Sequence, residues 1–235
     1  MYNTDITSTK PEDMNAEQKF GQFLDWYLYP SLHEQFGWDW KRNYNRDLQF
    51  LGVDGYLSRN GVEDIVDEKA TLKFMNIDIG TFAQETTFTQ KDGKVVEGWF
   101  FNPDKINNYF LYCYPYAIHT NLRTIQPSDF IGARCILVKK STIQDFLINK
   151  GCTREVAAYY AKIVRDGGVA GHNYININGN IIDFHFSPQL AESPVNILIK
   201  KRDLEAMAEF KCIIGEGKWG LTPYEKWGVL PDKYR

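Results

Sequence analysis

The sequence predicts an α/β protein with a central mixed β-sheet flanked by helices. Three observations carry this. Phe20, Phe23, Leu24, Tyr27 and Leu28 recur at the spacing of one helix face. Two Asn-Gly pairs, Asn60-Gly61 and Asn178-Gly179, lie between alternating apolar residues and mark hairpins, because both residue types tolerate positive φ. The order of segments is a helix, a run of strands, two helices, then strands and a helix. That order fits helices packed on a sheet better than a regular βαβ array.

Residues 1–14 are expected to form a flexible arm, and residues 15–235 a single domain with a C-terminal elaboration. Asn15 with Gln18 three residues on has the form of a capping box. The helix then runs over 16–29, and Pro30 ends it. Residues 31–47 are aromatic and charged without a period. Strands follow at 48–57, 62–71 and 81–89, the last closed by the turn residues Lys91-Asp92-Gly93. Residues 95–101 and 109–118 are two more strands, with Asn102-Pro103-Asp104 between them. Residues 134–140 are a short strand. Helices at 141–151 and 152–168 open on Ser/Thr caps and close on glycine. The second hairpin covers 173–187, a strand 195–201 and a helix 202–210. Residues 214–235 carry no assignable pattern.

Of the 235 residues, 43% are hydrophobic, 15% aromatic and 24% charged, which is enough apolar material for a packed core. No apolar run approaches the roughly 18 residues of a membrane span, and the polar N-terminus lacks a signal peptide's apolar core. A cytoplasmic location with no membrane partner is expected. The four cysteines are scattered, with no CxxC pair, and are expected as small buried hydrophobes rather than zinc ligands. A net charge of −3 gives no bulk attraction to nucleic acid, so an anionic partner needs a local patch or bound cations.

The first hairpin holds the chemistry. With Asn60-Gly61 as a two-residue loop, facing residues have numbers that add to a constant. Tyr56 faces Ile65, and Asp54 faces Asp67. Lys69 leaves on the Asp67 face, while Glu68 points the other way. Two opposed carboxylates repel. A shared proton offsets this, and so does a divalent cation, for which hard oxygens suit Mg²⁺ or Mn²⁺. An adjacent lysine steadies negative charge on a phosphate.

Asp54, twelve intervening residues and then Asp67-Glu68-Lys69 resemble the Asp…(Asp/Glu)-x-Lys signature of the PD-(D/E)XK nuclease superfamily, with the helix ahead of the hairpin in the matching place. Val53 stands where that signature has proline. The resemblance spans residues 15–90. It implies a restriction-endonuclease-like core with extra strands, and a metal-dependent nuclease acting on DNA ahead of RNA. It implies Asp54 and Asp67 as metal ligands, the Glu68 carbonyl as an added ligand, and Lys69 as the residue that orients water or contacts the scissile phosphate. A further acid from the first helix is implied, with Glu17 the candidate and Asp25 behind it. A polar residue after the lysine is implied as well, with Gln84 or Glu85 in place, and Glu85 alternates with Ala83 and Thr87. A homodimer is compatible with the resemblance, although no residues mark a dimer surface.

The other readings are plainer. Lys41, Arg42 and Arg46 are either phosphate contacts or a solvated basic loop. His119, His172 and His185 have no adjacent nucleophile and are expected to be structural or exposed. The aromatics of 99–116 are expected in the core rather than stacked on bases. For the Asp54/Asp67/Lys69 trio the competing expectations are a solvated charged hairpin face, and a non-catalytic binding module that keeps the nuclease-like fold.

Overall fold

The computed structural model describes residues 10–215 and 222–223. The chain forms two compact units. The first comprises 10–79, Ile106–Lys140 and the described residues from 204 on, and the second Gly80–Lys105 and Ser141–Asp203. Among the described residues no helix is long and apolar enough to cross a membrane.

The first unit opens with helix α1, Lys10–Phe36, which contains Pro30. It is longer than the expected 16–29 at both ends: residues 10–14 are helical, Asn15 lies inside the helix, and Pro30 does not stop it. Leu28, Tyr29 and Leu32 carry the buried stripe through the proline, and the exposed ring leaves packing intact. Ser31 Oγ donates to the Tyr27 carbonyl at 2.8 Å, where the ladder is disturbed.

Strands β1 (Asp39–Arg42), β2 (Gly55–Arg59), β3 (Val62–Ala70), β6 (Tyr109–Ala117), β7 (Phe130–Lys139), β11 (Phe210–Gly215) and β12 (Thr222–Pro223) form one seven-stranded sheet in the order β1-β2-β3-β6-β7-β11-β12. The pairing of β3 with β6 is parallel and the others are antiparallel, so the sheet is mixed. Phe20, Phe23, Leu24 and Leu28 of α1 share one buried cluster with Leu57, Val66, Leu111, Cys113, Cys135 and Leu137. Each large apolar side chain so buried contributes about 1.5–3 kcal/mol. Every residue of β6 is buried, as expected for the 109–116 aromatics. All four cysteines are free and buried.

The β2–β3 hairpin has the expected register: Tyr56 pairs with Ile65 and Gly55 with Val66. Asn60 and Gly61 have φ of 52° and 79°, the two positive values a type I′ turn needs. The strand expected at 48–57 is different. Asn45 Oδ1 accepts the amides of Asp47 and Leu48 at 2.9 and 3.2 Å, so Arg46–Phe50 forms the short helix α2 instead. The apolar spacing of that segment concealed the cap. Strands β1 and β11 were unassigned in the sequence.

The second unit holds a five-stranded antiparallel sheet, β5 (Val95–Glu97), β4 (Thr81–Thr89), β10 (Val195–Lys200), β9 (Asn180–Phe186) and β8 (Gly171–Ile177), in that order. The 95–101 strand is shorter than expected and ends at Glu97, although the Gly98 amide still donates to the Thr86 carbonyl at 2.8 Å and Gly98 packs against the Glu85 main chain. Helix α3 (Lys140–Ile148) and helix α4 (Arg154–Gly167) follow the expected 141–151 and 152–168, and Thr153 caps α4. Helix α5 is Lys201–Ala206. Asn178-Gly179 turns the second hairpin. The residues 214–235 lie outside the described chain except for the end of β11 and for β12.

Candidate functional site

Asp54 precedes β2 by one residue. Its amide donates at 3.0 Å to the carbonyl of Val66, the residue that also pairs with Gly55, so the ladder ends there and Asp54 lies just beyond it, close enough to Asp67 for the two charges to act on each other. The segment before it is clamped by Asn43, a buried residue. Asn43 Nδ2 donates to the Val53 carbonyl at 2.7 Å and its amide donates to the Asp54 carbonyl at 2.8 Å. Gly52, with φ of 82°, makes the turn from α2 into this segment.

Asp67 is 3% exposed. Its Oδ1 pairs with the Lys69 ammonium at 2.7 Å. Asp54 is half-buried, and its Oδ2 accepts the Glu68 amide at 2.7 Å. The solvated charged face is therefore not what the hairpin makes here: the acid at its centre is out of water. Burial, and then the charges of Asp67 and Glu68, push the Asp54 carboxyl well above the usual carboxylate range, against the pull of Lys69 and the Glu68 amide. Burial works to lower the Lys69 pKa, but Asp67, Asp54 and Glu17 outweigh it and hold the ammonium above the usual lysine range.

Of the expected site residues, Asp54, Asp67 and Lys69 are brought together. Glu17 lies exposed near the start of α1, and its charge acts on Lys69. Glu68 points away from Asp67, as its parity requires, and its side chain belongs to a second network. There Arg42 bonds both Glu68 oxygens at 2.9 and 3.0 Å, and Asp25 Oδ2 at 2.7 Å, while the Tyr29 hydroxyl donates to Glu68. Asp25 is thus bound into that network and does not back up Glu17. The same holds for Arg42, which is no loop cation: its guanidinium also donates to the Gly21 carbonyl at 3.0 Å. Glu85 lies on β4 of the second unit, opposite Asn196 of β10. His119 pairs with Asp129 at 3.1 Å and His172 with Asp183 at 2.9 Å.

One residue escaped the sequence reading. Asn107 is 4% exposed, its Nδ2 donates to the Tyr109 carbonyl at 3.1 Å, and its Oδ1 has no hydrogen-bond partner. A Cβ placed on Gly52 would stand 3.1 Å from Asn107 Oδ1 and 3.3 Å from Asp67 Oδ2. The only signal in the sequence was the amide pair Asn107-Asn108 directly ahead of an apolar strand. Asn108 uses its amide for structure, accepting the Ile65 amide at 2.8 Å.

Among the described residues no group of three or more His, Cys, Asp and Glu side chains is placed to hold a metal ion. The oxygens beside Gly52 are one of Asp67 and one of Asn107, with the Asp54 carboxyl near enough for its charge and that of Asp67 to interact, and hard oxygens of this kind suit Mg²⁺ or Mn²⁺. Comparison of the chain with family models, with curated proteins and with solved structures finds no match.

Proposed function

We propose that this chain is a Mg²⁺- or Mn²⁺-dependent nuclease that hydrolyses phosphodiester bonds, in DNA ahead of RNA. The observation that carries the reading is the buried Asp67 with the Lys69 ammonium 2.7 Å from one of its oxygens and the Asp54 carboxyl close enough to feel its charge. The finer fold reading, a restriction-endonuclease-like core, belongs to the same proposal. It is supported by a helix followed by a hairpin whose second strand carries Asp67-Glu68-Lys69.

In this reading Asp54 and Asp67 hold the cation, with the Glu68 carbonyl beside them. A bound divalent cation supplies Lewis acidity towards a phosphate oxygen and a water of lowered pKa. Asp67, Asp54 and Glu17 favour the charged form of Lys69, and its part in this reading is electrostatic: it faces the negative charge that builds on the phosphate. Glu17 adds charge at the Lys69 end.

A second reading has its own support. Lys69 already neutralises Asp67 as an ion pair, which a non-catalytic binding module would also need. Cleavage of supercoiled plasmid, linear duplex, single-stranded DNA and RNA, each with Mn²⁺, Mg²⁺ or EDTA, separates the two. Cutting that requires metal and is lost in Lys69→Ala supports the nuclease. Metal-dependent cutting that survives in both Asp54→Ala and Asp67→Ala removes this site from the reaction. A folded chain that cuts nothing and binds no Mn²⁺ is the module.

A further inference from the structure

We propose that Asn107 supplies the third side-chain oxygen of the Asp54–Asp67 site, so that the chain holds a divalent cation with two carboxylates and one amide carbonyl. This rests on the metal-dependent reading above.

The amide orientation is settled by chemistry. Nδ2 donates to the Tyr109 carbonyl at 3.1 Å, so the oxygen is directed away from that strand. That oxygen is buried and meets no donor, an arrangement that native proteins rarely leave unexplained. Asp67 commits Oδ1 to Lys69, which leaves Oδ2. The Asn107 and Asp67 oxygens face the same point beside Gly52, at 3.1 and 3.3 Å. Two acceptor oxygens close to one point suit a cation. Hard divalent ions take carboxylate and amide carbonyl oxygens alike.

Gly52 is part of the same design. Its φ of 82° favours glycine, and a Cβ there would stand 3.1 and 3.3 Å from the two oxygens. Gly61 offers a matched control, with φ of 79° and nothing within 4 Å of a Cβ. An alanine at either position meets the same backbone strain, and only at position 52 does its methyl reach the oxygens.

The test is calorimetric titration of the full chain with MnCl₂, with melting curves in EDTA to establish that each variant is folded. Wild type is expected to bind Mn²⁺ and Asp67→Asn to lose it. Asn107→Leu and Gly52→Ala are expected to bind about 10-fold more weakly or worse. Gly61→Ala should match wild type, and Asn107→Asp, which keeps an oxygen in place, should restore binding relative to Asn107→Leu. If Asn107→Leu does not fold, the contrast between Gly52→Ala and Gly61→Ala still decides. Wild-type affinity in both Asn107→Leu and Gly52→Ala, with binding lost in Asp67→Asn, overturns the role of Asn107 and leaves the metal site standing. No Mn²⁺ binding by wild type overturns both.

Discussion

Asp54 Oδ2 accepts the main-chain amide of Glu68 at 2.7 Å, across the hairpin from its own strand. That amide belongs to the peptide joining Asp67 to Glu68. One carboxylate is thereby pinned to the backbone beside the other, and the pair cannot relieve its repulsion by swinging apart. The remaining Asp67 charge is met by Lys69 on the same strand.

Asp54→Asn and Asp54→Ala are expected to diverge in stability while agreeing in function. Asparagine keeps an acceptor for the Glu68 amide and removes the repulsion with Asp67, so its stability should equal or exceed wild type. Alanine leaves the amide without its partner, at a cost of about 1–3 kcal/mol. Both should lose metal-dependent cleavage. Urea unfolding beside a plasmid assay checks this, and equal stability of the two variants would count against the pinning role.

The same carboxyl gives a pH dependence of defined sign. Asp54 titrates well above the usual range in the folded chain, first through burial and then through Asp67 and Glu68. In the unfolded chain it titrates near 3.9. Stability from this group is therefore complete below about pH 4 and is lost as pH rises through the folded value. Measured in EDTA between about pH 4 and 8, the stability of wild type minus that of Asp54→Asn should fall with rising pH. A flat or rising difference contradicts the raised pKa.

Arg42 neutralises Glu68 and Asp25 together, with side chains that are 15%, 12% and 27% exposed. Arg42→Met should lose about 3–5 kcal/mol, since it leaves largely buried carboxylates uncompensated. Arg42→Lys keeps the charge but cannot reproduce the fork to both partners, and should fall between. Chemical denaturation of the two variants is the check, and a loss under about 1 kcal/mol in Arg42→Met would mean the network carries little stability.

Pro30 sits in the interior of α1 with its ring exposed. Pro30→Ala restores a main-chain donor and loses no packing, so the chain should gain about 1–3 kcal/mol, less than the full helix penalty because alanine also frees the unfolded chain. Thermal or urea melting reads it directly. Destabilisation would show that the proline is needed for the packing of Tyr29 and Leu32.

Local rules carried much of this protein. Asn60-Gly61 set the hairpin register because a two-residue loop allows one pairing, and that register holds as far as Gly55 and Val66, which brings Asp54 near Asp67. Thr153 and the α4 helix behaved likewise, since a cap and a glycine stop act over a few residues. Where tertiary packing outweighed a local signal, the expectation failed. Pro30 was overruled by the buried face formed by Leu28, Tyr29 and Leu32, and the apolar spacing of 48–57 gave way to the Asn45 cap.

What the sequence determined by itself was the mixed α/β class, the hairpin and the trio Asp54, Asp67 and Lys69, because each depends on spacing along the chain. Only the tertiary structure decided that Asp67 is buried, that Arg42 joins Asp25 and Glu68, and that an oxygen of Asn107 and one of Asp67 both lie beside Gly52. Those contacts join residues from separate strands and turns. Their geometry comes from how β6 lies parallel to β3 and how α2 feeds into the hairpin, which no local pattern encodes.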